Sequence, residues 1–332
     1  MKQRRIGPFT TSSIGYGCMS LSHAYGHPPE RDQARAVLLK ALDLGYTFFD
    51  TASTYGFGHN EELVGEVLSA HRSRFTLASK CGLGRNAEGV REINGRPEKL
   101  LATIDESLAR LKTDVIDLYY LHRWDKRVPI EDSIGAMARM VEAGKVRTIG
   151  LSEVSGATIR KAHAVHPITA VQSEYSPWTR NPEWGALEAC REIGATFVAF
   201  GSVGRGFLAG GVTDLTGLPA TDFRLSMPRF QGEAFAANLK LLDKLDAIAA
   251  EVGCNKAQLC LAWTLSRGPH VTSIPGTTSL AHVEENTLAD QITLTADQIA
   301  RLDALAAETH GGRYSERSEG EVDTERFESV AA

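Results

Sequence analysis

Apolar and polar positions alternate along the chain in two rhythms. Short runs rich in β-branched and aromatic residues, at 46–50, 75–79, 115–121, 146–151, 170–172, 196–200 and 270–274, read as strands. Helical spacing fills the intervals. Ala34, Val37, Ala41 and Leu44 share one face of a helix over 30–44 that Gly45 ends. Leu100, Ile104, Leu108 and Leu111 line a helix opened by Pro97, where the missing N–H costs little. Ile130, Ile134, Met137 and Val141 do the same over 129–143, closed by Gly144. Further helices are expected from Asn60 through Leu68 and over 155–165 (with Ser155 as N-cap), 183–193, 234–252, 256–265, 280–288 and 296–307. Near the start, the Gly7-Pro8 turn joins 4–6 to 9–12 as a hairpin, and a Gly-rich strand follows at 14–18.

This is strand–helix alternation repeated about eight times, which closes most economically as an α/β barrel with its helices outside, a (β/α)8 TIM barrel. A doubly wound open sheet is the alternative, although no GxGxxG follows the first strand. No linker interrupts the pattern, so a single domain over 1–332 is expected. Residues 201–232, rich in Gly and Pro, exceed an ordinary loop and are a candidate cofactor lid. The tail over 310–332 is polar and is expected to be mobile near its end.

Composition narrows the class. The 332 residues are 42% hydrophobic and 23% charged with net charge −5, as for an ordinary soluble protein and without the basic balance of a nucleic-acid binder. Five cysteines, odd in number and without a CxxC, suggest free thiols in a reducing compartment rather than a disulfide framework or a zinc site. The basic N-terminus is followed by no apolar run, and the longest uncharged apolar stretch, near 193–204, is too short to span a bilayer. A cytoplasmic protein without membrane, nucleic-acid or metal partners is expected, with its oligomeric state open.

The strand ends carry the chemistry. The second strand ends at Asp50, the third at Lys80, the fourth at His122, the fifth at Ser152 and the sixth at Gln172; in a barrel these points converge on one face. Tyr55 follows Asp50 in a loop bounded by Gly56. Each residue has a bland reading on its own, as a turn cap, a half-buried aromatic or a solvated lysine; five polar strand ends in succession do not. A free tyrosine titrates near 10 and is a poor proton donor and acceptor at neutral pH. A neighbouring ammonium favours its phenolate, and a carboxylate keeps that ammonium charged and oriented. An imidazole can then orient a carbonyl oxygen while the phenol protonates it.

Specific stretches carry a resemblance. Asp50-Thr-Ala-Ser-Thr-Tyr55-Gly with His59-Asn-Glu-Glu-Leu-Val-Gly65 resembles the first signature of the aldo-keto reductases, and Leu118-Tyr-Tyr-Leu-His122-Arg-Trp-Asp125 resembles their fourth strand. Gly150-Leu-Ser152-Glu153, Gln172-Ser-Glu174-Tyr175, Ile274-Pro-Gly276-Thr and Glu285-Asn286 resemble the later strand ends and the adenosine-binding segment, so the likeness runs from about Ile14 to about Leu305, nearest the branch of the potassium-channel β subunits. The resemblance implies reversible reduction of aldehydes or ketones by hydride from NADP(H). Tyr55 would be the general acid, Asp50 and Lys80 would tune it, and His122 would orient the substrate. It implies that Gly17, Cys18 and Met19 line the cofactor, that Ser152 and Gln172 hold its carboxamide with Glu153 beside them where many members have Asn, and that Phe200 stacks on the nicotinamide. Gly201, Ser202, Val203, Gly204, Arg205 and Gly206 would follow the pyrophosphate; Gly276, Thr277, Thr278, His282, Glu285 and Asn286 would meet the adenosine. Tyr25, Phe57, Trp124 and Trp178 would line a substrate mouth suited to an aromatic or medium-sized apolar carbonyl.

Two departures stand out. The family's Tyr-Ser-Pro-Leu-Gly is here Phe200-Gly-Ser-Val-Gly204, which keeps an aromatic face and loses one hydroxyl that Ser202 can replace. The segment after Gly276 has Thr277-Thr278-Ser279 in place of the usual cation for the 2′-phosphate, and Gly211 stands where a lysine is common. Arg205, Arg224 or Arg229 could substitute; NADP(H) is expected, with NAD(H) possible. Two other functional classes remain: a cofactor-occupied regulatory subunit acting through a partner, and a metal-dependent barrel hydrolase, for which the strand ends supply too few histidines and acids.

Overall fold

The computed structural model describes residues 1–22 and 24–325. A hairpin of β1 (Gln3–Ile6) and β2 (Phe9–Ser12) precedes β3 (Tyr16–Gly17), α1 (Arg31–Asp43), β4 (Phe48–Asp50), α2 (His59–Leu68) and β5 (Thr76–Cys81). A second hairpin, β6 (Leu83–Arg85) and β7 (Arg91–Ile93), leads to α3 (Pro97–Leu111), β8 (Ile116–Leu121), α4 (Ile130–Glu142), β9 (Val146–Ser152), α5 (Gly156–His163) and β10 (Ile168–Glu174). The chain ends with α6 (Ala186–Ile193), β11 (Thr196–Phe200), α7 (Gly232–Val252), α8 (Lys256–Ser266), β12 (Val271–Ser273), α9 (Leu280–Asn286), α10 (Ala296–Ala304) and α11 (Glu316–Gly320).

Eight strands pair in parallel in the order β3, β4, β5, β8, β9, β10, β11, β12. A parallel bridge from Ile14 to Ser273 joins the two ends, with the Gly15 N–H on Ser273 O at 2.8 Å, so the sheet closes on itself and the open-sheet alternative falls away. Closure removes both sheet edges. Side chains alternate between two cores. Phe48, Ala78, Leu118, Tyr120, Ala170 and Val198 fill the barrel interior with Ile6 from the hairpin, while Phe49, Leu77, Tyr119, Leu121 and Phe197 face outward onto the helices. The hairpin covers one end of the barrel; the Arg4 guanidinium fastens it, donating to Leu265 O and Gly268 O at 2.7 Å each. Capping boxes at Asn255/Gln258 and Thr295/Gln298 start α8 and α10.

The elements follow the sequence pattern with three differences. The expected helix over 183–193 divides at Gly185, where a short turn over Asn181–Trp184 gives way to α6. The β6–β7 hairpin was not expected, because its strands are short and only partly buried. The tail is not free over its described part: Arg313, Tyr314, Val322 and Thr324 are all buried. The expected mobility near its end falls at 326–332, outside the described residues. Residues 201–232 hold three short 3-10 turns (Gly204–Gly206, Phe223–Ser226 and Pro228–Phe230).

Gly150 faces the interior where Tyr120 already fills it. A Cβ there would stand 2.6 Å from the Tyr120 ring and 2.7 Å from Ala170 O. Gly150→Ala is expected to destabilise the fold by about 2 kcal/mol through overpacking, measured as a lower urea midpoint with an unchanged m-value.

Candidate active site

Strand periodicity builds the site. Two positions beyond the interior residues Phe48, Ala78, Tyr120, Ala170 and Val198 come Asp50, Lys80, His122, Gln172 and Phe200, on the same faces of their strands. Ser152 pairs in register with Gln172 and follows Gly150 by two. The apolar layers therefore end in one polar layer at the C-terminal mouth, as the strand ends suggested.

Lys80 lies at its centre with its side chain fully buried. Its Nζ donates to the Asp50 carboxylate, to Thr51 O at 2.8 Å and to the Tyr55 hydroxyl at 3.1 Å, which uses all three ammonium protons. The other Asp50 oxygen accepts from Gln172 Nε2 at 2.8 Å. The Tyr55 ring stands edge-on to His122, with centroids 5.8 Å apart. Gly56, Phe57 and Gly58 all have left-handed backbones and turn the chain sharply just after Tyr55. Asn60 at the start of α2 anchors that turn: its Nδ2 donates to Cys18 O and Ser22 Oγ, and its Oδ1 accepts from Thr51.

These contacts set the protonation states. Burial opposes the Lys80 charge, yet Asp50 and Tyr55 together hold the ammonium above its ordinary range. Burial pushes the Tyr55 phenol up; Lys80 pulls it back only in part and Asp50 adds to the rise. The sequence pointed to Lys80 stabilising the phenolate, but loss of hydration outweighs it here, so Tyr55 is a phenol carrying its proton. Burial, Arg123 and Lys80 hold His122 well below the usual histidine range, so it is a neutral imidazole. Its buried Nδ1 has no hydrogen-bond partner among the described residues.

The expected cofactor residues surround this layer. Gly17 ends β3 and Cys18 and Met19 follow it, and the close approach of Gly17 to Ile274 O leaves no space for a larger residue. Phe200 is half-buried at the mouth, as a stacking face requires. Val203, with φ −100° and ψ 22°, leads into left-handed Gly204. The turn is closed by its own amides, the Gly204 N–H donating to Gly201 O at 2.8 Å and the Gly206 N–H to Val203 O at 3.1 Å. Ser202 Oγ is paired with Ser273 Oγ at 2.8 Å. Gly276, Thr277 and Thr278 lead into α9, where His282 Nδ1 lies 3.4 Å from Thr277 Oγ1; Glu285 accepts from Asn255 and Asn286 is buried.

The Glu153 carboxylate takes the Glu174 N–H at 2.9 Å and forms an ion pair with Arg313 at 2.7 Å. Arg205 is bound to Glu174 and to the hydroxyls of Tyr25 and Tyr314. Arg224 pairs with Asp222, and Arg229 donates to Thr179 Oγ1 and Gly311 O. Tyr25 is thereby tied to Arg205, and the Trp124 indole N–H is spent on Val128 O. Trp178 is buried, stacked on Phe207 at 4.7 Å, and lines no mouth. Phe57 is exposed, with the Arg85 guanidinium 3.8 Å over its ring. Sequence reasoning assigned no role to Glu174, although it follows Gln172 by two and so shares its face. Arg313 and Tyr314 carried no local signal.

A sequence model of the aldo/keto reductase family matches residues 13–307. The chain is 43% identical over 319 residues to an aldo-keto reductase of Schizosaccharomyces pombe named as using NADP(+), covering 94% of both chains. It is 40% identical to a probable aldo-keto reductase of Glycine max, covering 95% of this chain and 93% of that one. Among solved structures it is similar to a glycerol dehydrogenase of Gluconobacter oxydans, with TM-score 0.83 at 26% identity, covering 95% of this chain and 98% of that one. An aldo-keto reductase of Bacillus halodurans in its holo form is similar at 28% identity with TM-score 0.75, over 95% and 99% of the two chains.

Lys80 and Asp50 are each costly to bury alone. Lys80→Met is expected to destabilise the fold by about 3–5 kcal/mol because it strands the carboxylate, and adding Asp50→Asn should recover most of that loss. Urea unfolding of the free protein checks both variants.

Proposed function

This chain belongs to the aldo/keto reductase family, and from that premise we propose that it is an NADPH-dependent carbonyl reductase of the alcohol dehydrogenase type. It reduces aldehydes or ketones to alcohols, reversibly. The observation that carries this reading is the buried contact of Lys80 with both Asp50 and Tyr55, beside a neutral His122. The nicotinamide, when bound, supplies or takes the hydride. The rest is done by the side chains of the polar layer. His122 donates a ring N–H to the carbonyl oxygen and fixes its position. Tyr55 gives its phenolic proton to the same oxygen, and the adjacent Lys80 ammonium stabilises the phenolate left behind. Asp50 keeps Lys80 charged, and Gln172 holds the far oxygen of that carboxylate. In the oxidative direction the same phenolate takes the alcohol proton.

Ser152 and Gln172 would hold the carboxamide, Phe200 would stack on the ring, and the loop from Gly201 to Gly206 would take the pyrophosphate. Residues 201–232 act as the lid: the Phe223 N–H meets Ala24 O at 2.9 Å and Asp222 accepts from the Gly26 N–H, tying this excursion to the loop after β3. The relative named for NADP(+) supports NADPH as the cofactor. Thr277, Thr278 and Ser279 would meet the 2′-phosphate with neutral donors rather than a guanidinium. A second nucleotide, NADH, is therefore usable. No observation favours the regulatory-subunit alternative.

Tyr55→Phe should lower turnover of an aldehyde panel by about a thousandfold while leaving NADPH affinity within about twofold; near-normal turnover would remove Tyr55 from its role. Because burial raises the phenol and lowers His122, log kcat/KM for reduction should stay level from about pH 6 to about pH 9 and fall only as Tyr55 loses its proton. An inflection near neutral pH that His122→Gln abolishes would contradict this assignment. Fluorescence titration should find NADPH binding tighter than NADH by no more than about tenfold, the scale of one neutral hydrogen bond.

A further inference from the structure

The segment after α10 grips one residue twice. The Asp323 N–H donates to Glu153 O at 3.0 Å, and Arg313 of the same segment holds the Glu153 carboxylate, Nη2 2.7 Å from Oε2 and Nη1 3.2 Å from Oε1. Around this grip, Asp323 Oδ2 accepts from the hydroxyls of Ser155 and Thr158, Glu325 accepts from the Gly156 N–H, and Lys126 donates to Gly320 O and Val322 O. Residues 313–325 thus form a strap from α10 across the mouth to the start of α5.

The gripped residue is unusual. Glu153 is a non-glycine residue with φ +57°, and 1% of it is exposed. It directly follows Ser152, and its N–H donates to Gln172 O at 3.0 Å. Its backbone is therefore fixed directly beside the two residues proposed above to hold the carboxamide. A carboxylate cannot donate a hydrogen bond, and without a counter-charge it would be a buried anion next to the nicotinamide seat. Arg313, 5% exposed, supplies that counter-charge from a point far along the sequence. The nicotinamide ring is cationic when oxidised and neutral when reduced, so the local charge bears directly on which form is held more tightly.

We propose that the C-terminal strap is part of the cofactor site, with Arg313 as a positioning residue that neutralises Glu153 beside the nicotinamide and so sets the balance between oxidised and reduced nucleotide. The inference rests on the nicotinamide reading given above. It extends the site to the strap, which the residues of the polar layer do not require.

Calorimetric titration of the full chain with NADP+ and with NADPH tests it. Arg313→Gln leaves the carboxylate unopposed and should shift the ratio of the two dissociation constants toward NADP+ by roughly threefold to tenfold, the effect of one unit charge at short range. Glu153→Gln keeps size and shape, removes the nearest anion from the guanidinium while Glu319 remains 4.0 Å away, and should shift the ratio toward NADPH by a similar or smaller factor. The double variant should return to within about twofold of the parent ratio, and Arg313→Lys, which keeps the charge, should stay there. If Arg313→Gln does not fold, the opposite shift in Glu153→Gln still decides the matter. A ratio unchanged in both single variants, even with both affinities weakened, would make the strap a merely structural brace and overturn the inference. An unmodified chain that binds neither nucleotide would instead overturn the cofactor reading itself, and the inference with it.

Discussion

An ammonium group with no access to water is costly unless an anion and other acceptors surround it, and the mouth of this barrel is arranged around one such group. Lys80 is held by Asp50, Thr51 O and Tyr55, and each of these is held in turn: Asp50 by Gln172, Thr51 by Asn60, and Tyr55 by the left-handed turn that follows it. The elements involved come from β4, β5, β10 and α2, so the requirement to satisfy one charge couples the positions of four parts of the fold. The same burial makes the chemistry work. It keeps Tyr55 protonated and His122 neutral, which is the pair of states that reduction of a carbonyl needs.

The polar layer was legible because it follows a local rule. Once β4, β5, β8 and β10 are placed by their apolar runs, the two-residue period sends Asp50, Lys80, His122 and Gln172 to the same side, and barrel closure brings them together. Closure was expected from the eight strand–helix units, but the contact that makes it, a bridge between Ile14 and Ser273 far apart along the chain, could not be read. The expected lowering of Tyr55 failed for a related reason, since a neighbour's charge can be inferred from motif spacing but the extent of burial cannot.

The contacts that could not be read are those made with partners elsewhere in the chain. Glu153 was placed by the residues beside it, and its ion pair with Arg313 carried no local signal. Arg205, Arg224 and Arg229 looked available because they lie in the expected lid. Each is instead spent on a nearby acid, hydroxyl or carbonyl. The described part of the tail is polar, and much of that polarity is used in contacts with the barrel, through Arg313, Asp323 and Glu325. A polar composition reports that a segment lacks an apolar core of its own; it does not report whether charged partners await it.

The coupling of Lys80 to the Tyr55 phenol is most directly observed by NMR, following the ring carbon that bears the hydroxyl in labelled free protein as pH is raised, in the parent and in Lys80→Met. The account requires Tyr55 in the parent to titrate above the ordinary tyrosine value of about 10, and higher still once the ammonium is gone. A phenol that titrates at or below the ordinary value, or one indifferent to the loss of Lys80, would contradict it.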